Sequence, residues 1–436
     1  MVSSARIPFL LAGLGSLLTA SSAPWPAWRG PNQDGTTSES QFPLHWSPTN
    51  HVRWRTELPG PGNSTPIVWN QTLFLTQALP KPSNRSILAF DRVTGRMLWQ
   101  SGTAWEEAED THEDNPFCAA SPVTDGERVI AYLGSAGVWA VDFDGTVLWR
   151  RDLGRQKHEW GYSSSPVIVG DQVIVYHGPG PSSRLVALEK RSGKITWQVD
   201  LPEPTPTERS DGFKGRTPGT VGTFGSPVVV NASGRQEVVL GFPESLRAYA
   251  PETGKELWRS SGLNPLVYTT PVPVTSPPMI LAFGGFYGSA IAVRPGGSGD
   301  VTSTHRLWRE ERSKKNRIGS AVVKGGHAYF ANMEGFFECL ELGTGKQIWE
   351  ERLNGPGAAD GSWSSPTLAG DRIYMLNKSG DALVLRASPK FEILATNTVA
   401  EPLNASPAMS DGEIFIRTWN ALWCISEKAR LASNRQ

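Results

Sequence analysis

The chain of 436 residues carries 42 basic and 42 acidic side chains, a formal neutrality that excludes the broad electrostatic field used to hold nucleic acid or an anionic membrane. Any charged partner must be recognised locally. Seventeen Trp, 45 Gly and 34 Pro describe many turns and many large rings to bury, which points to an all-β protein. Length alone suggests about three domains of roughly 150 residues, unless an internal repeat overrides that prior.

The chain opens with Arg6, an apolar run from Ile7 to Leu18 and small residues through "TASSA". A bilayer needs about 20 apolar residues, so this shorter run reads as a secretory signal over 1–22, cleaved before Ala23, and not as an anchor. No Cys stands at the junction to take a lipid. The mature chain is therefore expected to be periplasmic or extracellular, with no transmembrane segment. Next comes "WPAWRGPNQDG", Trp25 to Gly35. Its two tryptophans would not stay exposed on a free tail, and the segment 23–50 is expected to pack on the outside of the folded domain.

"NHVRWRTELPG", from Asn50, alternates like a half-buried strand, with Val52, Trp54 and Thr56 on one face and Arg53, Arg55 and Glu57 on the other. Nothing upstream could pair with it. Its partner is found through a repeat: Ser-Pro, apolar alternation, a Gly- or Asp-containing turn, apolar alternation. Starts fall at Ser64, Ser121, Ser165, Ser226, Thr270, Ser320, Ser365 and Ser406.

A second phrase follows most starts and is complete in "AFDRVTGRMLW", Ala89 to Trp99, and "ALEKRSGKITW", Ala187 to Trp197. The Ala allows close strand approach, the Gly supplies a turn, and the Trp fills a pocket between neighbouring units. Closing tryptophans are Trp54, Trp99, Trp149, Trp197, Trp258, Trp308 and Trp349, with Ile393 or Leu394 standing in for one more. Starts and endings match in number but out of phase: Ser406 has no ending and Trp54 no start. The expected fold is an eight-bladed β-propeller over 51–427, of four-stranded antiparallel blades, in which the N-terminal strand completes the last blade and removes a bare edge. Residues 428–436 form a tail.

The phrase at Ala89 to Trp99 resembles the tryptophan-docking repeat of the pyrroloquinoline-quinone-like propellers, a family that includes quinoprotein alcohol dehydrogenases and the propeller subunit of the outer-membrane β-barrel assembly machinery. The resemblance runs from about residue 50 to 427 and speaks to fold, since the motif holds blades together. For the dehydrogenases it implies two adjacent cysteines against a quinone, with calcium held by acidic and amide side chains beside a catalytic Asp. This chain has no Cys-Cys pair. Its recurring acids Asp91, Asp142 and Glu189 belong to the blade phrase. No cofactor is therefore expected. Cys339 and Cys424 stand in the Ala slot of non-adjacent blades and read as core residues, as does Cys118. "THEDNP", His112 to Pro116 after Thr111, lacks metal-helix spacing, and "DFDGT" lacks the remaining calcium ligands.

Residues just before each Ser-Pro should ring one mouth of the central channel. They include Asn63, Asn115 with Phe117, Trp160 with Tyr162, Phe224, Tyr268, Arg317, Trp363 and Asn404. Aromatics, amides and one Arg suit a ligand with flat or hydroxylated faces and a negative charge. The alternative is that the rings plug the channel and pack on one another. Two return loops are enlarged, the acidic "GTAWEEAEDTHEDNP" and the basic "RSKKNR"; they read as solvated faces, the alternative being that they meet different partners. No catalytic constellation stands out. The chain is expected to be a binding or assembly module for an envelope or extracellular protein, a small molecule or a carbohydrate; the competing class is a divergent quinone-dependent oxidoreductase.

Overall fold

The computed structural model describes residues 23–80, 83–203, 221–232, 234–286, 288–311, 316–353 and 360–428. The signal read at 1–22, most of the basic loop 312–317 and the tail from 429 lie outside them. The chain forms eight four-stranded antiparallel blades, with strands in order from the channel outwards. Blade one is built of Ile67–Trp69, Thr72–Pro80, Ser83–Asp91 and Met97–Ala104. Blades two to seven span 123–151, 167–200, 228–261, 272–310, 322–352 and 367–398, and the last begins at 408.

Blade eight is completed by Val52–Glu57, which lies antiparallel to Ala421–Ile425 with Trp54 opposite Cys424. The orphan strand thus closes the ring. Glu413 of blade eight, wholly buried, ties the seam: it takes Arg53 of the closing strand and, at 2.7 Å, Nε of Arg92 in blade one.

The Ala slot faces the closing Trp in register: Ala89 opposite Trp99, Ala187 opposite Trp197, Cys339 opposite Trp349. Five indoles reach the next blade, where their N–H donates to a turn carbonyl: Trp54 to Arg92 (2.9 Å), Trp99 to Phe143 (2.8 Å), Trp149 to Lys190 (3.0 Å), Trp197 to Pro251 (2.7 Å) and Trp308 to Leu342 (2.7 Å). Trp258 instead donates to the buried Glu237 of its own blade at 2.8 Å. The turn glycine answers to this packing as well as to its backbone. Gly95 has φ +72°, and a Cβ there would sit 2.5 Å from the Trp54 ring. In blade seven the residue in the tryptophan register is Ala395, opposite Val384, and neither Ile393 nor Leu394. Trp46 from the N-terminal segment compensates, buried in the same cluster and stacked on Tyr374 at 6.4 Å.

The Ser or Thr at each blade start has a role that its recurrence alone did not reveal, and in blade one that place falls to Thr65, one residue after the Ser64 read from the sequence. Each amide N–H donates to the hydroxyl of the next start: Thr65 to Ser121, Ser121 to Ser165, Ser165 to Ser226, Ser226 to Thr270, Thr270 to Ser320, Ser320 to Ser365, and Ser365 to Ser406, all at 2.8–2.9 Å. Ser406 returns to Thr65 at 3.1 Å. A circle of hydrogen bonds lines the channel.

The N-terminal segment does not lie on the outside. The amides of Thr124, Val229 and Leu368 donate to Pro26 O, Gln33 Oε1 and Gly35 O, and Trp25 pairs with Val68. Each of these blade residues stands three positions beyond the hydroxyl circle, about 10 Å further along the innermost strands at the usual rise. Thr36–Thr37 then adds parallel to Thr367–Ala369. The segment therefore crosses and closes the far mouth. Arg29, 3% exposed, donates to Pro366 O (2.9 Å), Ala321 O (2.5 Å) and Asp34 O (2.8 Å); burial pulls its guanidinium down to about 10. Innermost-strand amides that have no partner within their own blade donate to this irregular segment, which explains the placement.

Candidate functional site at the channel mouth

Between the N-terminal plug and the return loops lies a cavity of about 240 Å³. Asn63, Asn115, Trp160, Tyr268, Trp363 and Asn404 line it, together with Phe224 and five hydroxyls of the circle. Trp28 of the plug contributes as well. The cavity is two-sided. Trp160, Phe224, Tyr268 and Phe286 form a continuous aromatic arc, with Phe224 stacked on Tyr268 at 5.2 Å, Trp160 on Tyr268 at 6.4 Å, and Phe286 edge-on to Tyr268 at 5.6 Å. Asn404, Asn63 and Asn115, from the loops entering blades eight, one and two, supply an amide arc.

Two expected residues are elsewhere. Tyr162 lies two positions after Trp160, is 3% exposed, and packs between blades two and three against Tyr132 at 5.1 Å while its hydroxyl accepts the Cys118 N–H. Arg317, 1% exposed, is drawn into the blade by two carboxylates, Glu310 at 2.5 Å and Glu338 at 2.9 Å, which hold its guanidinium above the usual range. It offers the cavity no charge.

The acidic loop is also not a solvated face throughout. Its tip folds over the mouth. The Asp114 carbonyl accepts from Asn63 Nδ2 (2.7 Å) and Asn404 Nδ2 (3.0 Å), and its carboxylate pairs with Lys378 at 2.9 Å. His112 stacks on Trp363 at 6.0 Å and stands edge-on to Trp160 at 6.5 Å, bridging return loops that enter blades three and seven. Glu109 and Arg85 add an ion pair at 3.4 Å, and Glu107 meets Arg155. The mouth is thus neither wide open nor plugged by its own rings. Phe286 escaped the sequence reading, which weighed His112 and Asp114 only as metal ligands and not as parts of the mouth. The lone His among six acids in that loop was the available signal for a role at the mouth.

Cys118, Cys339 and Cys424 are buried free thiols of separate blades, and burial raises the first two to about 11. Asp91 and Asp142 spend Oδ1 on backbone amides of their own turns, Thr94 at 2.7 Å and Thr146 at 2.8 Å. The residues present do not fit pyrroloquinoline quinone with calcium. Among the described residues Asp114 is the sole carboxylate lining the cavity, no Arg or Lys lines it to face a tricarboxylate, and no three His, Cys, Asp or Glu side chains converge to hold a metal.

The outer membrane protein assembly factor BamB of Burkholderia pseudomallei (strain K96243) is 20% identical over 329 residues, covering 68% of this chain and 78% of that protein. The crystal structure of BamB from Moraxella catarrhalis matches 86% of this chain and 97% of its own, with a TM-score of 0.59 and 14% identity. The quinohemoprotein alcohol dehydrogenase of Comamonas testosteroni matches 95% of this chain and 82% of its own, with a TM-score of 0.64 and 12% identity. These structural likenesses establish the shared propeller architecture. The sequence itself matches one family over residues 44–114, 103–243 and 243–390, and the chain belongs to that family, described as outer membrane protein assembly factor BamB.

Proposed function

We propose that this protein is an exported, non-catalytic binding or assembly module of the cell envelope or extracellular space, working through the channel mouth formed by Asn63, Asn115, Trp160, Tyr268, Trp363 and Asn404. One observation carries the reading: the channel is closed at its far end by the chain itself and presents at the other end aromatic and amide side chains whose single carboxylate is already paired with Lys378. Such a surface suits recognition. The family description, an assembly factor, supports a partner among other envelope proteins, and the composition of the mouth also admits a carbohydrate or another small molecule. The apolar run from Ile7 to Leu18 supports export. The recurrent indole-to-carbonyl contacts support reading the Ala89 to Trp99 phrase as a tryptophan-docking motif. A quinone-dependent oxidoreductase is favoured by likeness of fold and by sequence similarity to a quinohemoprotein alcohol dehydrogenase over 47% of the chain, against which stand the residues of the mouth.

The purified mature protein, incubated with pyrroloquinoline quinone and calcium and then desalted, is expected to retain no quinone absorbance and to reduce no dye with alcohols. Stoichiometric retention with alcohol-dependent dye reduction would establish the oxidoreductase instead.

A further inference from the structure

We propose that the mouth cavity is a binding site for one neutral sugar ring. This deepens the reading of the mouth as the working face, and rests on it.

Three features of the walls point to this ligand. On one side the aromatic arc offers flat faces, with Trp160, Tyr268 and Phe286 only half-buried; the axial C–H face of a pyranose is the apolar surface that such rings take. On the other side Asn404, 7% exposed, spends Nδ2 on the Asp114 carbonyl and leaves Oδ1 buried with no hydrogen-bond partner among the described residues. An acceptor left unmade in that way is costly unless a ligand or water completes it. Below lies the hydroxyl circle. Ser121, Ser165, Ser226, Ser365 and Ser406 line the cavity, and each Oγ accepts an amide N–H. A hydroxyl that accepts retains its proton to donate, and none of these five donates a bond within the described residues. The cavity therefore combines several donors, one buried acceptor in its wall that lacks a donor, and a stacking platform.

Charge and size narrow the class. Among the described residues His112 and Asp114 are the acid or base side chains of the lining, and Asp114 is neutralised by Lys378, so none of these selects an acidic or an amino sugar. A cavity of about 240 Å³ with Trp28 beneath it holds a single ring; the plug leaves no path for a peptide to thread through.

Saturation-transfer NMR on the intact mature protein tests this with methyl glycosides of glucose, galactose, mannose and N-acetylglucosamine, oligosaccharides extended from the reducing end, glucuronate, and short aromatic peptides. The expected result is saturable transfer to the ring C–H protons of at least one neutral sugar. Asn404→Leu and Trp160→Leu should each weaken it at least about tenfold, the scale of one lost hydrogen bond or stacking contact. A response to the glycoside, to the extended sugar or to both supports the site, and tells a free sugar from a glycan end. Because the wild type is read directly, a variant that fails to fold does not decide the matter. No saturable transfer from any neutral sugar, glucuronate bound equally well, or displacement by the peptides alone would overturn the proposal. A peptide-only response leaves the mouth a binding face, whereas sugar binding untouched by folded mouth variants would remove both readings.

Discussion

The amide of Ser406 donates to Oγ1 of Thr65 across 341 positions of sequence, at 3.1 Å, and this bond closes the circle of hydroxyls around the channel. The same seam is closed at the perimeter by Trp54 opposite Cys424 and between them by Glu413, which serves blade one and the closing strand at once. Glu413→Ala would leave Arg92, 3% exposed, short of a principal counter-charge. Removing one partner of a buried ion pair costs about 3–5 kcal/mol, and the variant should show that loss in urea unfolding. A loss below about 1 kcal/mol would mean that the seam does not depend on this carboxylate.

The Gly95 turn and the Trp54 ring occupy one space. Gly95→Ala combines a positive φ with a clash and should cost about 1–3 kcal/mol. If the clash is with the indole, Trp54→Leu with Gly95→Ala should destabilise less than the sum of the single variants by at least about 0.5 kcal/mol, the lower bound for residues in contact. Additive costs would separate the two.

Arg317 is held by carboxylates and not presented to a ligand. Arg317→Ala strands Glu338, 0% exposed, beside Glu310, and should lower stability by about 3–5 kcal/mol. Mouth binding, measured on protein that remains folded, should be unchanged. Loss of binding with full stability would return this side chain to the site.

Burial raises the Glu203 carboxyl to about 7, although Gly180 N–H and Tyr176 O–H donate to it at 3.0 and 3.2 Å. A carboxyl whose folded value lies above its unfolded one near 4.5 stabilises the fold fully below that lower value. Its contribution is lost as pH rises towards 7, because the folded state then holds the extra proton. Stability of wild type relative to Glu203→Gln should fall from pH 4.5 to 7. A flat difference across that window would place the carboxyl in water, and a rising one would mean that the fold stabilises its charge; either contradicts the shift.

Much of the architecture was legible because blade packing is written locally. Ala89, Gly95 and Trp99 each answer to a neighbour one strand or one blade away, so their spacing alone counts the units and exposes the mismatch that Trp54 resolves. The plug was not legible. Trp25 to Gly35 has no period, and its place is decided by unpaired amides at Val68, Thr124 and Leu368, far along the chain. Direction misled at the mouth: Tyr162 shares a loop with Trp160 but turns into the core, and Arg317 follows Glu310 and Glu338 instead of the channel axis. His112 acquires meaning only when Trp160 and Trp363 meet it in space.

The most direct test of the mouth as working face places a photoreactive phenylalanine at position 363, at 286, and, as a control, at Asp171 in the turn between the two innermost strands of blade three, where the side chain is 88% exposed. The proteins are expressed in the organism that makes this chain, irradiated, and recovered for mass spectrometry. A recurrent adduct with one envelope protein or glycan at 363 and 286, absent at 171, is the predicted result. Adducts of equal yield at all three positions, or at 171 alone, would contradict it.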